Sequence, residues 1–202
     1  MQILKLNWEN FKGIVKIITQ SIKEGKVIIC PTDTVYGLIA DATNKKSVEK
    51  IFKIKKRSRN KPLPIFVKDL KTAKKLALIN KNQEKFFKKA WPGKITVVLK
   101  RKEGKQIYGI DKKTIALRVP NYKLVNILLK KLKCPLIGTS ANISGKPAST
   151  EIKEVLKQFT LRRGSGQEKY QPDLVIDTGN LPKSRPSLVI DLTKEPPKIL
   201  RK

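Results

Sequence analysis

Short runs of β-branched residues alternate along this chain with longer stretches in which apolar residues recur every three or four positions. The opening run QILKL predicts a strand, and Phe11, Ile14 and Ile18 then keep the period of an amphipathic helix. Asn10 is predicted to cap this helix and Gly25 to end it. The same patterns predict helices over residues 47–56, 69–91 (two helices), 121–132 and 151–159, and strands in KVIIC, LPIFV, ITVVL, TIALRV, PLIGT, LVID, SLVID and KIL.

The order of these elements predicts an α/β fold. Its sheet is expected to be mixed, because some strands, such as ITVVL and TIALRV, follow each other with no helix between them. We expect a single domain over residues 1–202 and a mobile loop over residues 162–171, RRGSGQEKYQ. No stretch approaches the ~18 apolar residues of a membrane span, and the N-terminus lacks the pattern of a secretory signal. We therefore expect a cytoplasmic protein with no membrane partner.

Histidine and cysteine usage narrows the chemistry open to this chain. It contains no histidine, which excludes Ser-His-Asp and Cys-His catalysis, histidine metal ligands and an imidazole proton shuttle. Its two cysteines, Cys30 and Cys134, are too few for a four-cysteine zinc site or a disulfide framework. Each lies in or beside an apolar run, so both are predicted to be buried packing residues.

The chain is strongly basic, with 46 Lys and Arg against 16 Asp and Glu and a formal net charge of +30. The cations are densest over residues 45–61, where Glu49 is the single acid. A polyanion is the expected partner, either a nucleotide, an RNA or both. The charge alone does not choose between them, and scattered lysines also fit a solvated surface without a binding role.

Two loops rich in hydroxyl groups follow apolar strands, whereas neither GxxxxGK[ST] nor GxGxxG occurs. PTDTVYG (residues 31–37) comes directly after VIIC, and TSANISGK (residues 139–146) comes directly after PLIG. Open α/β sheets bind ligands at the carboxyl ends of their strands, where such hydroxyl and amide groups can hydrogen-bond carboxylate or phosphate oxygens. Each loop alone also fits ordinary turn chemistry.

Basic residues between and after these loops are further candidates. Lys55, Arg57 and Lys61 precede Pro62 and fit either a helix C-terminus or a phosphate clamp. Arg118 ends the strand run TIALRV, so it is expected either to point into a site or to pair with an acid. Its planar guanidinium is suited to bidentate capture of a carboxylate.

A series of short motifs runs in one order over nearly the whole chain: PTDTVYGL, KxR followed by KPL, WPGKITVVL, TIALRVP, TSANISGKP and a closing SLVID…ILR. In this the chain resembles the YrdC-like family, the threonylcarbamoyl-AMP synthases. The resemblance implies a twisted mixed, partly parallel sheet flanked by helices, with a basic concave cleft. It also implies that L-threonine, bicarbonate and ATP, with Mg²⁺ accompanying the ATP and no protein-bound metal site, give threonylcarbamoyl-AMP and pyrophosphate. A transferase partner then modifies an adenosine of tRNA.

The resemblance also assigns residues to these roles. L-Threonine binding falls on Thr34, Arg118, Ser140 and Ser187. The ATP side falls on Lys55, Arg57, Lys61, Thr114, Asn142, Thr150 and Arg201, and catalysis on Lys55, Arg57, Ser140 and Asn142. Phe66 departs from the pattern, since many relatives carry a histidine there that helps to hold threonine. The second domain of longer relatives is not expected here.

Two other functions remain open at this stage. The first is a non-catalytic protein that binds tRNA or double-stranded RNA through the same basic surface, although a 6% share of aromatic residues offers few base-stacking platforms. The second is a relative that uses the same scaffold to carbamoylate another acceptor. Release of pyrophosphate from ATP, and its dependence on L-threonine and bicarbonate, distinguishes the synthase from both.

Overall fold

A computed structural model describes residues 1–104, 106–159 and 170–202. The loop expected over residues 162–171 lies outside the described residues except for its last two. The described strands are β1 (Gln2–Lys5), β2 (Ile28–Cys30), β3 (Gly37–Asp41), β4 (Ile65–Phe66), β5 (Ile95–Lys100), β6 (Thr114–Arg118), β7 (Leu136–Ser140), β8 (Leu174–Asp177), β9 (Leu188–Asp191) and β10 (Lys198–Arg201). The described helices are α1 (Phe11–Lys23), α2 (Lys45–Lys55), α3 (Leu70–Leu76), α4 (Lys81–Ala90), α5 (Lys123–Leu132) and α6 (Ile152–Phe159).

The described strands form one sheet in the order β1-β8-β2-β3-β7-β4-β6-β5-β9-β10. Strand β8 pairs in parallel with β1 and β2, and β4 with β6, whereas β3–β7 and β5–β6 are antiparallel. The predicted mixed, partly parallel sheet is therefore confirmed. Strand β3 was not predicted, because its short run GLIAD directly follows turn-forming residues. The prediction of one domain over residues 1–202 stays a prediction.

Apolar side chains pack against both faces of the sheet. Along β2, Ile28 and Cys30 join the cluster formed with α1 and α5, whereas Ile29 joins the cluster formed with α2, α4 and α6. This alternation follows from the two-residue period of a strand. The sheet is therefore a central layer between two helical layers, and the ends of its strands remain free to carry a site.

Two local predictions are corrected by the structure. Asn10 precedes α1 but does not cap it: its Oδ1 accepts from the Asn7 backbone N–H and its Nδ2 donates to the Lys5 carbonyl. Cys30 is buried as predicted, and burial raises the pKa of its thiol, but Cys134 is only half-buried. Among the described helices, none is long and apolar enough to cross a membrane.

Candidate functional site

The two hydroxyl-rich loops meet at one cleft. Gly37 begins β3 and pairs with Ser140, which ends the antiparallel strand β7, so the 31–36 loop and the 141–146 loop leave the sheet side by side. An added Cβ at Gly37 would lie 3.2 Å from the Thr139 carbonyl, so a larger residue would strain this close approach. The cleft is lined by Thr32, Thr34, Phe66, Arg118, Ser140, Ser187 and Arg201, among others.

Arg118, which ends β6, is held at the bottom of this cleft with 3% of its surface exposed. Its Nη2 donates to Asp33 Oδ1 over 2.7 Å, its Nη1 to Thr34 Oγ1 over 3.3 Å and its Nε to the Gly93 carbonyl over 2.9 Å. Burial lowers the pKa of Arg118 and the carboxylate of Asp33 opposes that shift. Contacts within the described chain thus use three of the five guanidinium N–H groups. Both interpretations of Arg118 hold: it pairs with an acid and it lines a site.

The Thr34 hydroxyl has its orientation set by its neighbours. Thr32 donates its hydroxyl proton to the Val35 carbonyl over 2.6 Å, so in the 3.1 Å contact between the Thr32 and Thr34 hydroxyls Thr34 is the donor. The same Thr34 oxygen accepts from Arg118. These hydrogen bonds fix the orientation of the Thr32 and Thr34 side chains beside Arg118.

Lys55, the last residue of α2, reaches into the loop after β7. Its Nζ donates to the Ser140 carbonyl over 2.5 Å, to the Asn142 carbonyl over 2.8 Å and to Asn142 Oδ1 over 3.1 Å. These contacts use all three ammonium protons. Burial, with a smaller contribution from Arg57, lowers the pKa of Lys55 to about 7. In this structure Lys55 therefore holds the loop, and its direct contact with ATP stays a prediction.

Ser140 and Asn142 are braced within the same loop. Ser140 Oγ donates to Asn142 Oδ1 over 2.6 Å, while Asn142 Nδ2 donates to the Ile143 and Lys146 carbonyls. Because its proton is used inside the loop, the Ser140 hydroxyl faces the cleft as a hydrogen-bond acceptor. Asn142 is buried, and its amide fixes the loop conformation.

Arg57 follows a change of chain direction at the end of α2. Lys56 adopts a left-handed conformation with φ 49°, and the Arg57 N–H then donates to the Phe52 carbonyl. Arg57 Nε donates to the Lys61 carbonyl over 2.8 Å and its Nη2 to the Pro62 carbonyl over 3.1 Å. The predicted helix C-terminus is confirmed, and the turn over residues 57–62 orients the guanidinium. The Lys61 side chain is exposed.

Ser187 and Arg201 close the cleft from the other side. Arg201 donates through Nε and Nη2 to the Ser187 carbonyl, and through Nη2 to Ser187 Oγ over 3.0 Å. Thr96 Oγ1 lies 2.8 Å from Ser187 Oγ. Burial lowers the pKa of Arg201, and the charges of Arg118 and Arg57 lower it further. The positive charges of Arg118 and Arg57 therefore act on Arg201, and an anion bound beside Arg201 would offset them.

Of the predicted ATP contacts, Arg201 lines the described cleft. The others are not among its lining residues: Lys55, Arg57, Lys61, Thr114, Asn142 and Thr150. Thr114 begins β6, four residues and roughly 13 Å of strand before Arg118, and its hydroxyl donates to Asp111 Oδ1. The Thr150 carbonyl accepts the N–H of Leu181. Their proposed roles stay predictions.

Sequence patterns missed Asp33 and Gly138, which both shape the cleft around Arg118 and Phe66. Asp33 pairs with Arg118, and the Phe66 ring centroid lies 5.7 Å from the Arg118 guanidinium carbon. A Cβ added at Gly138 would lie 2.4 Å from the Phe66 ring. The position of this ring in the cleft lining therefore depends on a glycine at position 138. Asp33 could have been singled out as an acid inside a loop otherwise made of hydroxyl and apolar residues. The described residues contain no group of three or more His, Cys, Asp or Glu arranged to hold a metal ion.

Comparisons with known proteins give matches over nearly the whole chain. The family model Sua5/YciO/YrdC, described as "Telomere recombination", matches residues 20–202. The putative threonylcarbamoyl-AMP synthase of Methanocaldococcus jannaschii is 36% identical over 192 residues, covering 95% of this chain and 86% of that protein. The threonylcarbamoyl-AMP synthase of Pyrococcus abyssi is 35% identical over 191 residues, covering 93% of this chain and 53% of that protein.

Solved structures show the same fold. Pyrococcus abyssi Sua5 complexed with L-threonine superposes with a TM-score of 0.82 at 34% identity, covering 99% of this chain and 56% of that one. E. coli YciO superposes with a TM-score of 0.81 at 24% identity, covering 100% of this chain and 94% of that one. The chain thus spans about half the length of the Pyrococcus protein and nearly all of YciO. The extent of the family match and the shared fold confirm the resemblance first seen in the motifs, and the chain belongs to the Sua5/YciO/YrdC family.

Proposed function

We propose that this chain is a nucleotidyltransferase that forms threonylcarbamoyl-AMP and pyrophosphate from L-threonine, bicarbonate and ATP. The observation that carries the proposal is the meeting of Arg118 with the hydroxyl groups of Thr34, Ser140 and Ser187 in one cleft that Arg201 closes. A buried cation beside oriented hydroxyl groups matches the carboxylate, amine and hydroxyl of threonine. Relatives named as synthases, and a related Sua5 bound to L-threonine, support the same substrate.

The threonine side of the site follows from the hydrogen bonds. The two remaining N–H groups of Arg118 bind the substrate carboxylate, which gains a charge-assisted contact in a buried setting. The Ser140 hydroxyl accepts from the substrate amine, because its own proton is held by Asn142. The basic concave cleft implied by the sequence is the electrostatic basis of the proposal.

The reaction proceeds in two steps. The threonine amine attacks the carbon of bicarbonate, a C–N bond forms, and loss of water leaves a carbamate. A carbamate oxygen then attacks the α-phosphorus of ATP, the bond from that phosphorus to the bridging oxygen of the β-phosphate breaks, and pyrophosphate leaves. Both steps bring anions together, so cations and positioning supply the acceleration.

The ATP phosphates lie between Arg57, Lys61 and Arg201, whose charges offset the charge that develops on the leaving pyrophosphate. Mg²⁺ enters with ATP as part of the substrate, and the phosphates supply its ligands. Lys55 and Asn142 act as positioning residues, because their contacts keep the loop that carries Ser140 in one conformation. Thr114 and Thr150 complete the nucleotide side.

The product fits a two-enzyme scheme. Threonylcarbamoyl-AMP is a mixed anhydride, so its carbonyl carbon is activated toward a nucleophile. A transferase partner receives it and moves the threonylcarbamoyl group to an adenosine of tRNA.

The test is pyrophosphate release by the purified chain with Mg·ATP. We expect release only when L-threonine and bicarbonate are both present, and a much lower rate when serine replaces threonine. Absence of release under all conditions, with RNA still bound, would favour the non-catalytic RNA-binding alternative. Release with a different amine or acceptor in place of threonine would favour a relative that carbamoylates another substrate.

A further inference from the structure

A second basic feature lies where β4 ends and β7 begins. The "lysine groove" is formed by the residues after β4, by α3 and by the end of α5, and encloses a volume of about 320 Å³. This volume falls in the range of small-molecule sites, roughly 300–1,000 Å³. Its lining includes Lys68, Lys75, Lys130 and Lys133, together with the Thr72 hydroxyl.

The lysine groove shares no lining residue with the candidate active site. Pro135 and Val67 line it, at the amino end of β7 and the carboxyl end of β4. Ser140, which lines the active-site cleft, ends β7 five residues after Pro135. A strand rises about 3.3 Å per residue, so roughly 16 Å of chain separates these two positions. At the carboxyl end of β4 the two linings come close, because Phe66 lines the cleft and Val67 lines the groove.

The four lysines bring an uncompensated positive charge to one place. Among the described residues, Lys75, Lys130 and Lys133 have no acidic partner within ion-pair distance, and no acid lines the groove. Lys68 has Asp69 at 3.7 Å, but the other oxygen of that carboxylate caps α3 by accepting from the Thr72 N–H. All four lysines are exposed, so their ammonium groups are accessible to an anion.

Apolar residues form the floor of the groove and strengthen the electrostatic potential of the lysines. Val67, Leu76 and Pro135 are buried beneath the lysines, and Leu129 lies beside them. Low-dielectric walls under charges of one sign focus the electrostatic potential and raise the local concentration of counter-ions.

We infer that the lysine groove binds phosphate groups, either of an RNA backbone or of a free polyphosphate. Four ammonium groups act as point charges and match an anion that carries more than one negative charge in a small volume. The groove lining has no arginine among its described residues, so a bound anion would be held by point charges and not by a planar fork. The inference is independent of the proposed synthase activity.

The experiment compares two variants of equal net charge. The groove variant carries Lys68→Gln, Lys75→Gln, Lys130→Gln and Lys133→Gln. The control variant carries Lys12→Gln, Lys16→Gln, Lys85→Gln and Lys89→Gln, all exposed lysines outside the groove. Binding of a single-stranded 12-nucleotide RNA, of tripolyphosphate and of an oligoglutamate of equal charge is measured for each variant as a function of salt, with pyrophosphate release as the check that the cleft is intact.

We expect the groove variant to bind RNA or tripolyphosphate at least about tenfold more weakly than the control variant. For RNA, the slope of log K against log salt should also fall by about three, since each lost contact removes roughly 0.7. If the groove variant loses affinity for RNA alone, the ligand is a nucleic-acid backbone. If it loses affinity for tripolyphosphate, the ligand is a free polyphosphate. Equal losses in the two variants, or no binding by the wild type, would overturn the inference.

The oligoglutamate measurement and a smaller set of substitutions complete the test of phosphate binding. Oligoglutamate bound as tightly as RNA would mean that the groove selects charge and not phosphate, which overturns the proposal. If the groove variant does not fold, the pair Lys75→Gln and Lys130→Gln against Lys12→Gln and Lys16→Gln gives the same comparison with half the charge change. Unchanged pyrophosphate release in a variant with weakened binding separates this site from the cleft.

Discussion

Asp33 and Arg118 form a buried ion pair, with 2.7 Å between Oδ1 and Nη2, that joins the loop before β3 to the end of β6. The second carboxylate oxygen of Asp33 accepts the N–H of Asn121, near the start of α5. One acid therefore fixes the arginine and two chain segments together. Arg118 also keeps N–H groups for a ligand, because its other described contacts are single hydrogen bonds to Gly93 and Thr34.

We predict that Asp33→Asn lowers the free energy of unfolding by about 3 kcal/mol or more, because it leaves the Arg118 charge buried without its partner. Glu49→Gln is the matched control. Glu49 pairs with the exposed Arg59, and loss of such a surface pair costs about 1 kcal/mol or less. Urea denaturation of both variants measures the difference, and equal small losses would mean that the buried pair does not hold the site together.

We predict that Arg118→Lys raises the KM for L-threonine by roughly tenfold to a hundredfold, since a lysine cannot bind Asp33 and a substrate carboxylate through one planar fork. The KM for ATP should change little. Steady-state pyrophosphate release at varied threonine and varied ATP gives both constants.

Arg57→Ala tests the ATP side of the cleft. It should raise the KM for ATP and leave the KM for threonine nearly unchanged. The Arg57 side chain donates to the carbonyls of Lys61 and Pro62, so a far-UV spectrum and an unfolding curve must first show an intact fold. If both variants raised the same constant, or neither did, the assignment of the two sides of the cleft would be wrong.

We predict that Lys55 makes the free energy of unfolding depend on pH. Burial lowers the pKa of Lys55 to about 7 in the folded protein, below its ordinary value of 10.5. Between these values the unfolded chain binds more protons than the folded one, so the contribution of this position to stability rises with pH. Relative to Lys55→Met, wild type should gain roughly 2 kcal/mol of unfolding free energy between pH 7 and pH 9.

Denaturation at the two pH values measures this gain. Lys46→Met, which replaces an exposed lysine near the start of the same helix, should show no such pH dependence relative to wild type. A constant difference between wild type and Lys55→Met across this pH range would contradict a depressed pKa at this position.

We predict that Gly138→Ala destabilises the protein by about 1–3 kcal/mol and slows pyrophosphate release, because the added methyl group forces the Phe66 ring to move. Combining it with Phe66→Leu should recover part of the stability. The control is Gly13→Ala in α1, where nothing lies within 4 Å of an added Cβ and a gain of roughly 0.5–1 kcal/mol is expected. A neutral Gly138→Ala would show that Phe66 does not depend on this glycine.

Much of this fold could be predicted because its elements carry local signals. The short β-branched and apolar runs ITVVL and TIALR gave β5 and β6, and the three- and four-residue steps of Ile14 and Ile18 gave α1. Strand β3 was missed since its five residues follow a turn-rich loop and lack an amphipathic pattern: four of them are buried. A strand buried on both faces gives no alternation to detect.

The candidate site was predictable only in part, for a physical reason. Motif order identified Thr34, Arg118, Ser140 and Ser187, which the structure brings to one cleft. It could not identify the partner of Arg118, because Asp33 is 85 residues away along the chain. The same holds for Lys55, whose ammonium group is satisfied by a loop 85 to 87 residues further on. Such contacts depend on the packing of strands and not on neighbouring residues.

We propose that one cleft joins threonine, bicarbonate and the AMP part of ATP. Incorporation of ¹⁴C from labelled bicarbonate into a nucleotide product tests this, with pyrophosphate measured in the same reaction. We expect one labelled carbon and one pyrophosphate for each threonylcarbamoyl-AMP formed, with no label in the absence of L-threonine. Pyrophosphate released without label in the nucleotide would contradict it.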